Sequence, residues 1–125
     1  AGELLELDDI WTRPGHRVLE HVHPCLEERW EVISGSPRFR IASVEHTAQP
    51  GDVVVAPPGV PHLAWNAGET AVHVRIQIRP AMRWEQFIQR LFKLAQDAHA
   101  NNLDSPDSIA MIDLLREFPE EIALP

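Results

Sequence analysis

Residues 15 to 35, GHRVLEHVHPCLEERWEVISG, hold the side chains of this chain best suited to bind a metal. His21 and His23 stand at alternate positions, and Glu28 follows five residues later. On an extended strand, residues two apart share a face about 6.5 Å apart, so both imidazoles point the same way and can converge on one ion. Pro24 keeps the backbone extended at His23 and breaks the strand after it. Glu28 can then return on the neighbouring strand with its side chain towards the same face. There it shares its parity with Trp30 and Val32, while Glu27, Arg29 and Glu31 fall on the other side. A carboxylate turned inward between a tryptophan and two histidines is costly unless it is paired or holds a cation. That cost favours a metal.

A second stretch, GDVVVAPPGVPHLAWN (residues 51 to 66), supplies a fourth candidate. An apolar strand ends in a turn of two prolines and a glycine, and His62 opens the next strand. So rigid a turn leaves His62 little freedom to lose on ordering.

The elements that must position these groups are short strands separated by Gly and Pro punctuation. Residues 4–11, 17–23, 28–34, 38–44, 52–56, 62–66 and 71–79 read as strands. The clearest is the last, where Val72, Val74, Ile76 and Ile78 alternate with His73, Arg75, Gln77 and Arg79. Many short strands at this spacing predict an antiparallel sandwich or barrel. After Pro80 the period changes. Trp84, Phe87, Ile88, Leu91, Phe92 and Ala95 repeat at helical spacing, which predicts an amphipathic helix over residues 83–99, ended by Asn101 and Asn102. Ser105 followed by Pro106 reads as an N-cap and first helical position, opening a second helix that runs to about Phe118 before Pro119. These helices depend on an apolar face, so they should pack on the barrel or on a second subunit.

The two stretches together resemble the paired motifs of the cupin superfamily. The first motif is glycine, five residues, His-x-His, three or four residues, glutamate, six residues, glycine; Gly15, His21, His23, Glu28 and Gly35 fit it at every spacing. The second is glycine, five residues, Pro-x-Gly, two residues, histidine, three residues, asparagine; Gly51, Pro57, Gly59, His62 and Asn66 fit it without a gap. At average residue usage, about one chance in twenty per position makes an accidental match of this length negligible. The resemblance implies an all-β fold, an antiparallel double-stranded β-helix of the RmlC-like jelly-roll type, over residues 1–80. A C-terminal two-helix extension over residues 81–125 lies outside the minimal family pattern. The resemblance also implies one divalent transition metal on His21, His23, Glu28 and His62. Ligand type alone does not choose among Fe, Mn, Ni, Co, Cu and Zn. A six-coordinate ion would keep two positions open, whereas a tetrahedral zinc would be closed by the four ligands.

The implied function is binding or transformation of a small organic molecule at that metal. A dioxygenase-type oxygenase is the first catalytic expectation, with Glu28 as a proton acceptor, and a metal-assisted isomerase or lyase is the second. A sugar-binding or sensor module without turnover is the alternative. The chain contains no tyrosine, so the Cys–Tyr crosslink of some thiol-oxidising cupins cannot form. Cys25 shares the parity of His23, but its plainer reading is a small half-buried residue in a hairpin. Arg38, Arg40, His73, Arg75, Gln77 and Arg79 could line an anion pocket, but read more simply as a solvated strand face with carboxylate partners. His16, His46 and His99 read as surface residues, and Trp84, Phe87 and Phe92 as core or interface.

The whole chain narrows the setting. A length of 125 residues suits one domain. A net charge of −8 argues against nucleic-acid binding, because no basic surplus exists to neutralise phosphates. No apolar run is long enough for a membrane span, and no signal-peptide pattern opens the chain. The first residues, Ala1-Gly2-Glu3, lack a methionine, as in a processed or trimmed chain. With one cysteine, no intrachain disulfide is possible, and a reducing, cytoplasmic location is expected. Apolar strand faces and the helical tail suggest a homodimer.

Overall fold

The alternation at residues 72–79 marks the middle of a sheet. Val72, Val74 and Ile78 are fully buried and Ile76 nearly so, while the intervening side chains face outward. The computed structural model describes residues 3–12 and 19–125. In chain order its strands are β1 (Leu5–Trp11), β2 (Glu27–Ser34), β3 (Pro37–Ile41), β4 (Val44–Thr47), β5 (Val53–Ala56), β6 (His62–Asn66) and β7 (Val72–Arg79). Two helices follow, α1 (Trp84–Ala100) and α2 (Ser108–Glu117). The strands form two antiparallel sheets, ordered β1-β7-β2-β5 and β4-β3-β6. The fold is the expected all-β jelly roll with two C-terminal helices. Among the described residues, no helix is long and apolar enough to cross a membrane.

Between the sheets lie Trp30, Val32, Phe39, Val72, Val74 and Ile76, with Trp30 and Phe39 ring centroids 5.1 Å apart. The helices extend this cluster. Trp84, Phe87, Leu114, Phe118 and Ile122 are buried in it, with Phe87 packed edge-on against Phe118 at 5.5 Å. Of the three aromatic residues of α1, Phe92 differs: it is 64 % exposed.

Several boundaries depart from the sequence expectation. Residues 38–44 are not one strand, because Ala42 and Ser43 take positive φ (49° and 69°) and turn the chain into the β3–β4 hairpin. Residues 17–18 lie outside the described residues, and the remainder of the strand expected there makes only isolated bridges, His21 to His62 and Val22 to Ala123. The second helix begins at Ser108 with Asp107 as its N-cap, instead of at Ser105-Pro106. Asp107 is extended (φ −56°, ψ 135°), which places the break between non-helical and helical backbone two residues later.

Gly35 illustrates how tightly the turn after β2 is built. Its φ is +92°, and a Cβ there would lie 2.7 Å from the Ala71 carbonyl oxygen and 2.8 Å from Val72 Cα. Both obstacles are backbone of the chain entering β7, so neither can swing away. Gly35→Ala is expected to destabilise by about 3 kcal/mol, combining left-handed strain with overpacking. Urea unfolding checks this; an unchanged midpoint would show that the turn can shift at no cost.

Candidate metal centre

His21, His23, Glu28 and His62 come together. One ligand atom from each lies within 4.8 Å of all the others. The assembly follows from local pairing. His21 and His62 exchange two backbone hydrogen bonds, His21 N–H to His62 O at 3.0 Å and His62 N–H to His21 O at 2.9 Å, so their side chains leave one face. His23 shares that face two residues on. Its carbonyl accepts Gly59 N–H at 2.8 Å, which ties the Pro57-Pro58-Gly59 turn to the segment that carries His21 and His23. A glycine suits that turn, since residue 59 has φ +78°. Glu28 enters from β2, paired to Ala56 on one side and Ile78 on the other, on the same buried face as Trp30 and Val32. Asn66, the last residue of the second motif, has a structural task. Its amide donates to the carbonyls of Trp11 and Thr70 and accepts from Gly68 N–H, tying the end of β6 to β1.

Each imidazole makes one hydrogen bond through Nδ1 to a backbone carbonyl: His21 to Leu19 at 2.8 Å, His23 to Glu121 at 2.9 Å, and His62 to Val60 at 2.9 Å. A carbonyl only accepts, so each Nδ1 carries the proton and each neutral ring keeps its lone pair on Nε2. The three rings face one another with centroids 4.6–4.9 Å apart. His62 Nε2 is buried and has no hydrogen-bond partner. His23 Nε2 and Glu28 Oε1 approach to 2.8 Å, and His62 Nε2 lies 3.6 Å from the same oxygen. Lone pairs of a neutral ring and a carboxylate repel, so this geometry calls for a positive charge between them, a proton or a metal cation. Three nitrogens and a carboxylate oxygen fit a divalent transition ion, and the orphaned His62 Nε2 fits it better than it fits solvent or core.

Electrostatics keep two of the four donors, His21 and Glu28, free of protons at neutral pH. Burial, with help from His62 and His23, pushes the His21 imidazole down from 6.5 to about 4, against the opposing pull of the Leu19 hydrogen bond and Glu28. Burial alone would raise the Glu28 carboxyl, but the close approach of the His23 and His62 imidazoles, cationic when a proton instead of a metal bridges them to the carboxylate, overcomes it and holds the group at about 2. The surroundings are aromatic. Trp84 stands edge-on to His23 at 4.7 Å, and Trp30 to His62 at 5.6 Å.

The other candidate residues lie apart. Cys25 is exposed, not half-buried, and no metal donor joins it among the described residues. His73 and Arg75 pair with Asp8, Arg75 approaches Glu31, Arg40 pairs with Glu45, and Gln77 bridges Arg29 and Glu6. This is the solvated, carboxylate-paired face expected from the alternation. His46 and His99 are exposed, and His16 lies outside the described residues. An open cleft of about 380 Å³ is lined by Ile41, His46, Thr47, Asp52 and Val53 to Val55, none of them in the donor cluster. Sequence reasoning missed the three carbonyls that orient the imidazoles. Two lie two residues before their histidines, but Glu121 is 98 residues away from His23.

Residues 12–78 match the cupin domain family. The chain belongs to the cupin family. Protein SchB of Streptomyces halstedii is 31 % identical over 69 residues, covering 55 % of this chain and 50 % of SchB. The chain thus spans about half the length of the curated relative it matches. A conserved Klebsiella pneumoniae protein with a double-stranded β-helix domain superposes with a TM-score of 0.58 at 25 % identity, over 66 % of this chain and 71 % of that one. A sugar phosphate isomerase of Silicibacter pomeroyi gives a TM-score of 0.56 at 21 % identity, over 62 % of this cupin and 50 % of its own chain. At that identity the likeness is one of fold.

Proposed function

We propose that this cupin binds one divalent transition metal on His21, His23, Glu28 and His62 and uses it to bind and oxidise a small, oxygen-chelating organic molecule. The observation that carries this reading is the set of three imidazoles pinned through Nδ1–H to carbonyls, with their Nε2 lone pairs converging on Glu28. Bound there, the metal supplies Lewis acidity and a meeting point for dioxygen and a chelating substrate. The chain's own residues do the rest. The histidines hold the ion without adding charge, and Glu28 offsets part of its charge. Held at about 2, Glu28 is ionised at neutral pH and ready to hold the ion; a carboxylate held so low is a weak base, so it would accept a substrate proton only after shifting off the metal and its histidine neighbours. Trp30 and Trp84 keep water from the inner side of the rings.

Metal analysis of the purified protein should find close to one equivalent of metal, removable by chelator and restored on reloading. A stoichiometry near zero after reloading with each of the six candidate ions would sink the proposal. Oxygen uptake by the loaded protein across diketones, flavonols and aromatic diols then tests the oxidising step. Uptake with none of them, alongside tight metal and ligand binding, would leave a binding protein without turnover.

A further inference from the structure

His21 and His62 are oriented by carbonyls in their own loops, two residues away. His23 alone is oriented by the far end of the chain, through the Glu121 carbonyl. That segment is fastened on both sides. Val22 and Ala123 exchange two backbone hydrogen bonds of 2.8 Å, joining it to the ligand strand between His21 and His23. On the other side, the Glu121 side chain is 2 % exposed and accepts the Arg83 backbone N–H at 3.2 Å. Arg83 is the N-cap of α1 and has no side-chain cap of its own, so the buried carboxylate serves the first turn of that helix from a distance. The Arg83 guanidinium lies 3.5 Å from Glu121 Oε1, donates to the Glu117 carbonyl at 2.7 Å and stacks over Phe118 at 4.6 Å. The next residue of α1, Trp84, is the one that packs on His23.

Resting on the metal-site reading above, we infer that Glu121 is a positioning residue for the metal centre. Its carboxylate locks the C-terminal segment to Arg83, and its carbonyl thereby holds His23 with Nδ1 protonated and the Nε2 lone pair turned into the donor cluster. The helical tail is then part of the metal site, although it contributes no ligand. A buried carboxylate is expensive unless paired, and here the pairing fixes the segment that orients a ligand. Hydrogen-bond partners of metal-bound histidines typically set affinity by 10–100-fold.

The test is Co(II) titration of the full chain, read by visible absorption, for Glu121→Ala and Arg83→Met. Arg83→Met keeps the apolar stem over Phe118 and removes both charged contacts at an exposed position, so it stays folded if Glu121→Ala does not. Both variants should weaken Co(II) binding, Glu121→Ala by about 10–100-fold, and shift the Co(II) absorption bands. Leu114→Ala, a cavity in the α2 side of the core that removes no hydrogen bond or ion pair of the anchor, should lower the melting temperature of the metal-free protein without altering Co(II) affinity. Wild-type affinity in both anchor variants overturns the inference, and so does an equal loss in Leu114→Ala, which would reduce the tail to general stability. Nitrogen-15 NMR of the metal-free protein separates this from the parent reading. The His23 Nδ1–H tautomer should dominate in the wild type and mix with the other in Glu121→Ala. If the wild type takes none of the six candidate ions but the tautomer responds, the metal proposal fails and the positioning role stands; an unresponsive tautomer overturns the positioning role.

Discussion

His62→Ala is expected to strip the protein of metal. His62 is fully buried, its Nε2 has no partner of its own, and it lies opposite His23 with ring centroids 4.7 Å apart. Alanine removes one of four donors and opens a gap beside Trp30 that no neighbouring side chain can fill with a ligand atom. Among the described residues no other histidine, cysteine or carboxylate joins the cluster. Loss of a mere hydrogen-bond partner costs about 10–100-fold in affinity, so loss of a ligand should cost at least ~100-fold. Dialysed protein should then retain a small fraction of the wild-type metal. Folding without metal should survive, because β6 is held by its pairing with β3 and by Asn66 rather than by the imidazole. Circular dichroism and metal analysis on one sample measure both. Full metal occupancy in a folded His62→Ala protein would show that the ion sits on a different set.

How much of this could be read from residues alone depends on how local the cause is. The strand at β7 was legible because its period-2 alternation is a property of eight consecutive residues. The convergence of His21, His23, Glu28 and His62 was legible because each motif holds its own turn and its own potential donors. The β3–β4 hairpin was not, because Ala42 and Ser43 adopt positive φ without the glycine or asparagine that announces such a turn. Phe92 fits the helical period but has no neighbour to cover it, a fact decided by the direction in which α1 lies on the sheets. The least legible contact is the one from Glu121 to His23. Residue 121 follows a proline-terminated helix and reads as one acid among several. Nothing within its own window says that its carbonyl reaches the His23 imidazole 98 residues upstream. Local pattern predicts elements and motifs, whereas the shell around a site is set by how elements pack.

The same cluster should make the metal-free protein acid-sensitive in two stages. His21 binds a proton at 6.5 when unfolded but only at about 4 when folded, chiefly because burial disfavours its charged form. Between those values the unfolded chain holds more protons, so stability falls as pH drops from 6.5 towards 4. Glu28 has the same sign for a different reason. Its carboxyl is protonated at 4.5 when unfolded and at about 2 when folded, so its contribution is complete above 4.5 and is lost on descending to 2. Each span corresponds to on the order of 3 kcal/mol, a large part of the stability of a domain this size. In chelator, lowering the pH from 7.5 to 5 should cost about 2 kcal/mol through His21 alone and lower the melting temperature by about 8 °C. His21→Gln should flatten that first stage and leave the second. Glu28→Gln should abolish the second and deepen the first, since the carboxylate is one of the groups that favours a charged His21. A metal-free melting temperature that stays level from pH 7.5 to 4.5 would contradict the buried, proton-poor donor set. Metal-loaded protein should fall more steeply over the same range, because protons then compete with the ion for the same lone pairs.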